Sequence, residues 1–377
     1  MLDLTAIPVI DQHCHPVLVQ QNIDIAQFRR YFTEAADLHI AEQHVPHTVY
    51  YLWFIRQAAA FYGCAPTEEA VVAARNSVES ASLLKRLWQD AHIAALVFDA
   101  AIPTPSLCYT PERMEEISQC RAVKLLRLET FMQELILASG DFDEVTQRFS
   151  EALSAVRENG YCGLKSIAAY RTGLDIREWS KDEAVAAFVE ARAEAVAQGT
   201  LRINHKPVID YLLHIAFGHA AQQRLPVQFH TGYGDSDTNM LLGNPLYLRP
   251  LLERREYWDM QVILLHESYP YTQLGAYLAS VYPHVYFDLS YMIPFVDALE
   301  MQVFTRQALS VAPASKLVYS SDGINLPEMH WVAAARGRHM LGHALQEMID
   351  AGEMDEAQAL QLARLILHET SATLYKI

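Results

Sequence analysis

Eight times along this sequence a short apolar run gives way to a polar side chain of the kind that does acid-base or metal chemistry. The runs cover residues 7–10, leading through Asp11 to His13 and His15; 94–98, ending at Asp99; 123–126, ending at Arg127 with Glu129 just beyond; and 163–164, leading into Lys165 and on to Tyr170 and Arg171. The other four are 227–229 before His230, 262–265 before His266, 285–287 before Asp288, and 317–320 before Asp322. Between them, segments 142–159, 181–198, 207–223 and 271–282 repeat Ala, Leu and Val in a helical pattern. Short buried strands alternating with helices imply a parallel sheet, and eight is the count that closes a (β/α)8 TIM barrel of the α/β class. In that architecture the C-terminal strand ends surround the active site, and all these polar residues fall there. A doubly wound sheet has no comparable support, because no G-x-G-x-x-G or G-x-x-x-x-G-K-[ST] pattern follows any strand.

The first run carries the sharpest chemical signal. Side chains alternate along a strand, so His13 and His15 share a side while Cys14 points away as a packing residue, and Pro16 stops the strand. Two imidazoles so placed can grip one metal ion. With His230 and Asp322 they make a nitrogen-rich set with one carboxylate, suited to Zn²⁺ or another first-row metal rather than Ca²⁺ or Mg²⁺. Such a metal acidifies bound water to a pKa of about 7 in favourable zinc sites. Asp322 can accept that proton and pass it to a leaving group, so hydrolysis is the expected reaction. His330, His339 and His343 lie in helical surroundings without a third ligand, outside the site.

Residues 17–91 contain no convincing strand. Apolar Ile25, Phe28, Phe32 and Ala35 predict a helix within 24–37, an aromatic-rich helix spans 48–61, and Thr67 caps another whose first turn holds Glu68 and Glu69. The aromatic cluster at 50–54 reads as packing core or as pocket lining. The segment is too long for an ordinary loop. It is expected to be a helical insertion over the mouth of the site, suited either to a lid or to an interface in a homo-oligomer. One barrel spanning 1–377 with this insertion accounts for the chain. A net charge of −16 argues against nucleic acid and anionic membranes as partners, leaving a small-molecule substrate. Five cysteines without a C-x-x-C pair give no disulfide framework or zinc ribbon and fit a reducing compartment. No leader-like N-terminus and no apolar run of about 18 residues occurs, so a cytoplasmic location is expected.

In order and strand position, His13-x-His15, Lys165, His230, His266 and Asp322 resemble the metal-ligand pattern of the amidohydrolase superfamily across nearly the whole chain. Stretches 163–171, 231–237 and 320–323 are similar to its amidohydrolase-2 branch of metal-dependent TIM-barrel hydrolases, including the domain some fungal and plant proteins carry fused to a glutamine-synthetase-like domain. The resemblance implies that His13, His15 and Asp322 bind the more buried metal. It makes His230 and His266 either ligands of a second metal or, in mononuclear relatives, a first-metal ligand and a water-orienting base. Lys165 separates these cases: in binuclear relatives it is carbamylated by CO2 and bridges the metals, which needs the amine neutral, and otherwise it is an ammonium that binds an anion. The implied cofactors are one or two divalent ions, zinc foremost, with a carbamate on Lys165 in the binuclear case. Asp322, His266 and Lys165 carry the catalytic roles. Related families on this scaffold decarboxylate acids or isomerise uronates, which makes those the rival reactions. A non-catalytic barrel that regulates a partner is the rival of another class, and the completeness of the six ligand positions speaks against it.

Substrate-binding candidates are Arg127, Glu129, Tyr170 and Arg171 at strand ends, and Asp235 in the loop after the fifth strand. A guanidinium there would hold a substrate carboxylate in fork geometry; equally, Arg127 would pair with Glu129, or Arg171 with Asp99, as structural salt bridges. Asp235, with Asp237 and Asn239, reads hydroxyl or amine groups or merely favours a turn. Glu267 is expected to orient an imidazole, and Asp288 to be structural. The expected function is hydrolysis of a C–N bond in a small amide-like substrate, one bearing a carboxylate if the arginines face it.

Overall fold

The eight runs form eight strands in the computed structural model, which describes residues 1–377. They are β1 (Val9–Cys14), β2 (Ile93–Asp99), β3 (Arg121–Arg127), β4 (Tyr161–Ser166), β5 (Pro226–Phe229), β6 (Gln261–Leu264), β7 (Val285–Ser290) and β8 (Leu317–Ser320). Each pairs in parallel with the next in sequence order. The last returns to the first: the Asp322 amide donates to the His13 carbonyl at 3.0 Å, and the Ser321 amide donates to Asp11 at 2.8 Å. The fold is a (β/α)8 TIM barrel. Alternation sets its two cores. Val97, Leu125, Cys162, Ile263 and Val318 form a buried cluster joined by Leu374 and Tyr375 from the last helix, whereas Leu96, Phe98, Leu164, Val227 and Phe229 pack in the large cluster with the surrounding helices.

The β1–β2 pairing shifts register between Asp11 and Cys14. Strict alternation would put neighbours on opposite faces, yet Gln12 reaches Gln228 and Asp288 while the adjacent His13 reaches Lys165 and Asp322. The irregularity turns both toward the barrel interior, as an added residue in a strand does. Cys14 packs outward in the large core. In β7 the strand continues to Ser290, so Asp288 stands within it rather than at its end.

Between β1 and β2 the chain makes four α-helices: α1 (Ile25–Arg30), α2 (Val49–Tyr62), α3 (Glu68–Asn76) and α4 (Ser80–Asp90). Thr48 and Thr67 cap α2 and α3 by accepting from the Tyr51 and Ala70 amides. The first helix ends at Arg30, short of the expected 24–37, because Phe32 turns into the aromatic core against Phe54 and Tyr51, with ring centroids 4.5 and 5.0 Å away. Tertiary packing overrides helix propensity there. Tyr50, Tyr51 and Phe54 are buried in that core and do not line the site. A buried pair, Arg75 Nε to Glu328 at 2.9 Å, joins α3 to the helix Pro327–Asp350, and the Tyr62 hydroxyl donates to the same carboxylate at 2.8 Å. No helix is long and apolar enough to cross a membrane.

Candidate metal centre

At the C-terminal mouth of the barrel, the ligand atoms of His13, His266 and Asp322 lie within 4.8 Å of one another, and all three residues are buried. Asp322 Oδ1 is 3.1 Å from His13 Nε2 and 3.2 Å from His15 Nε2, and Oδ2 is 3.4 Å from His266 Nδ1. The His230 ring centroid is 4.5 Å from that of His266, and Lys165 Nζ is 3.3 Å from His13 Nε2. Burial and the Lys165 charge push His13 down to about 4, and burial with His266 as neighbour holds His230 well below the usual imidazole range. These rings are therefore neutral at pH 7. Burial alone would raise Asp322, but His266, His13 and His15 hold its carboxyl well below the usual range. His13 Nδ1, His230 Nε2, His266 Nδ1 and Asp322 Oδ1 are buried without a hydrogen bond. Buried nitrogen and oxygen atoms left without a partner are costly unless a cation, proton or ligand satisfies them. The donor set fits a divalent metal with a preference for nitrogen ligands.

The surrounding shell fixes these side chains through the backbone. His266, Glu267, Ser268 and Asp322 all have positive φ, between 49° and 61°, a region that non-glycine residues occupy at a cost. Asp288 holds the first of these turns by accepting from the His266 amide and from Ser320 Oγ, each at 2.9 Å. His15 Nδ1 lies 3.0 Å from the Asp99 carbonyl, the kind of partner that fixes the tautomer of a metal-binding imidazole. Glu267 accepts from the Ser290 amide and leaves its other oxygen unpartnered. It buttresses β7 and makes no hydrogen bond to an imidazole, which corrects the role expected for it.

A cavity of about 280 Å³ opens over the centre. Of the proposed substrate-binding residues, Arg127, Tyr170, Arg171 and Asp235 line it, and Glu129 does not. Glu129 begins the helix Leu128–Ala138, fully buried, and accepts from Ser166 Oγ at 2.7 Å and the Ile167 amide at 2.9 Å. It holds the end of β4 in place of meeting substrate. Neither expected salt bridge forms: Arg127 is neutralised by Asp99, with Nε and Nη2 at 2.8 and 2.5 Å from one carboxylate oxygen. Arg171 keeps its charge unpaired, its Nε buried without a partner. Tyr170 lies against His230, ring centroids 4.1 Å apart, and a side chain on Gly234 would overlap its hydroxyl. Lys165 faces the cavity, where burial, opposed by Asp99 and Asp322, lowers its ammonium to about 8.

Two charged cavity residues escaped sequence reading. Glu34 enters from the insertion, in a turn that had been expected to be helix, and Arg202 follows the helix Lys181–Gln198 at the rim, paired with Asp237 at 2.8 Å. Neither ends a strand, and no spacing pattern marks them.

A family model described as amidohydrolase matches residues 164–377. The fluG protein of Emericella nidulans is 28% identical over 98% of this chain, and the chain spans 46% of that protein's length. A crystal structure from Lactobacillus casei ATCC 334, provisionally described as a metal-dependent hydrolase, superposes with a TM-score of 0.88 at 30% identity, covering 100% of this chain and 98% of that one. The uronate isomerase of Thermotoga maritima superposes with a TM-score of 0.71 at 13% identity, covering 98% and 95%, a likeness of fold alone. With its matched strand-end residues converging on one buried centre, the chain belongs to the amidohydrolase family.

Proposed function

We propose that this chain is a metal-dependent hydrolase that cleaves a C–N bond in a small, carboxylate-bearing amide. The observation that carries the reading is the cluster of buried, unpartnered donors from His13, His230, His266 and Asp322 beneath one cavity. His13, His15 and Asp322 would hold a first ion. His230 and His266, with Lys165 as its carbamate, offer a place for a second. A divalent ion there, zinc by its match to nitrogen donors, supplies Lewis acidity and lowers the pKa of bound water.

The chain's own groups supply the rest. Asp322, ionised across the working range, accepts the proton of the attacking water and returns it to the leaving nitrogen. With a single ion bound, His266, neutral and fixed in its left-handed turn, is free to orient that water. Arg171, the unpaired guanidinium of the cavity, takes the substrate carboxylate. Lys165 has a neutral fraction near pH 7, so it can add CO2 and release a proton to become the carbamate. Ile102, Ile167, Ile293 and Ile324 wall the cavity with apolar surface, which strengthens every charge interaction inside it.

The test is a panel of N-acyl amino acids and side-chain amides, assayed with the zinc-loaded chain and its Asp322→Asn variant. Turnover is expected to fall by about 10²-fold or more in the variant. Unchanged turnover contradicts the proton-transfer role. A chain that releases CO2 from acids or isomerises uronates, and cleaves no amide, overturns the C–N assignment.

A further inference from the structure

Arg171 and Glu34, side chains of opposite ionic type on the cavity wall, make no ion pair with any protein group. Arg171, on the segment after β4, makes no ion pair; its only hydrogen bond is a long one, 3.5 Å, to the Tyr170 carbonyl. Glu34, on the insertion, is half-buried, lines the same cavity and makes neither hydrogen bond nor ion pair. The other charged side chains on the wall are accounted for: Arg127 by Asp99, Arg202 by Asp237, and Asp322 and Lys165 by the metal centre. Asp235 sits at the exposed rim, capping its own turn through the Asp237 amide.

A half-buried charge without a partner is unfavourable unless a ligand supplies the counter-charge. Arg171 calls for an anion. Glu34 has no partner either; burial, then Asp322 and Asp235, push its carboxyl up to about 8, so it is largely protonated near pH 7 and ionises when a positive group is placed beside it. Tyr170, which lines the same cavity, adds aromatic surface to it.

Resting on the hydrolase reading and extending it to a substrate class, we propose that the substrate is a zwitterion, an amino-acid derivative whose carboxylate pairs with Arg171 and whose ammonium pairs with Glu34. The insertion then contributes a specificity residue to a site otherwise built by the barrel. A cavity of about 280 Å³ suits a small amino-acid amide.

Calorimetric titration of the purified chain with matched probes tests this without turnover. The probes are β-alanine and γ-aminobutyrate, the acids lacking the ammonium (propionate and butyrate), and the amines lacking the carboxylate (propylamine and butylamine). Because the simple acids also reach the metal centre, they set the baseline for carboxylate binding there. A zwitterion is expected to bind at least about tenfold more tightly than its matched acid, the scale of one desolvated charge-assisted pair. Glu34→Gln, close in size, should abolish that advantage and leave metal content unchanged. Arg171→Met should weaken zwitterion and acid alike and spare the amine. Equal binding of zwitterion and acid, an advantage that survives in Glu34→Gln, or no zwitterion binding at all overturns the inference. A chain that carries metal and cleaves amides yet shows no such preference loses this inference alone. A preference that persists in a chain without metal or turnover removes the hydrolase reading alone.

Discussion

Asp322 and His266 pair chemistry with an unfavourable backbone, and the residues around them show what maintains it. A non-glycine residue at positive φ costs on the order of 1–3 kcal/mol, so each turn needs bonds that leave the chain no alternative. For His266 the bond is Asp288, which also takes Ser320 Oγ and Gln12 Nε2. Asp288→Ala strands these buried donors and should lower stability by roughly 2–4 kcal/mol, read by urea denaturation, with loss of metal binding; a stable variant that binds metal normally would contradict the positioning role. A second residue-scale prediction concerns acid stability far from the site. His284, buried beside Trp258 with both ring nitrogens unpartnered, has its pKa lowered to about 4 by burial and the nearby Lys316. Its folded pKa lies below the unfolded value of 6.5, so the unfolded chain binds the proton more readily. That contribution is whole above pH 6.5 and is lost as pH falls toward 4. His284→Leu should flatten the decline in denaturation midpoint across that window, and an unchanged slope would refute it. At this scale, residues that end strands were legible in sequence because alternation and strand order fix where they point. Glu129 misled because helix Leu128–Ala138 begins at once after β3 and turns its side chain into the core, and Glu34 was hidden because it lies in a turn whose position depends on the packing of Phe32.

The insertion is the element whose attachment matters most, since it brings Glu34 to the cavity. Its anchor is the Arg75–Glu328 pair with Tyr62 on the same carboxylate, almost fully buried. Removing one partner leaves a buried charge uncompensated, which costs about 3–5 kcal/mol. Glu328→Ala should therefore destabilise the chain by that order, with hydrogen exchange rising first in α1 to α3 and little change in β5 to β8. Uniform exchange throughout would mean that the insertion and barrel do not separate at this contact. Thr67 announced α3 as its cap, and the aromatic-rich helical run 48–61 announced α2. The Arg75–Glu328 pair had no such signal, because its partners are more than two hundred residues apart and nothing in either neighbourhood marks it.

Across the whole molecule, sequence order conveyed the architecture: eight apolar runs alternating with helices, each followed by polar chemistry, match the strand count that closes a barrel, and no nucleotide-binding motif favoured an open sheet. What it left open was how the closed barrel uses its interior. The register shift in β1, which turns Gln12 and His13 the same way, depends on pairing with β2, and the choice of Asp99 as partner for Arg127 depends on which strand ends meet in space. Both arise from tertiary contacts that local pattern does not encode. The central claim, that strand ends from the whole barrel converge to hold a metal, is tested most directly by elemental analysis of the chain purified without added metal or chelator. The account predicts about one or two divalent ions per chain, lost together when His13 and Asp322 are replaced. No bound metal, and no uptake of Zn²⁺ or Mn²⁺ by the folded chain, would contradict it.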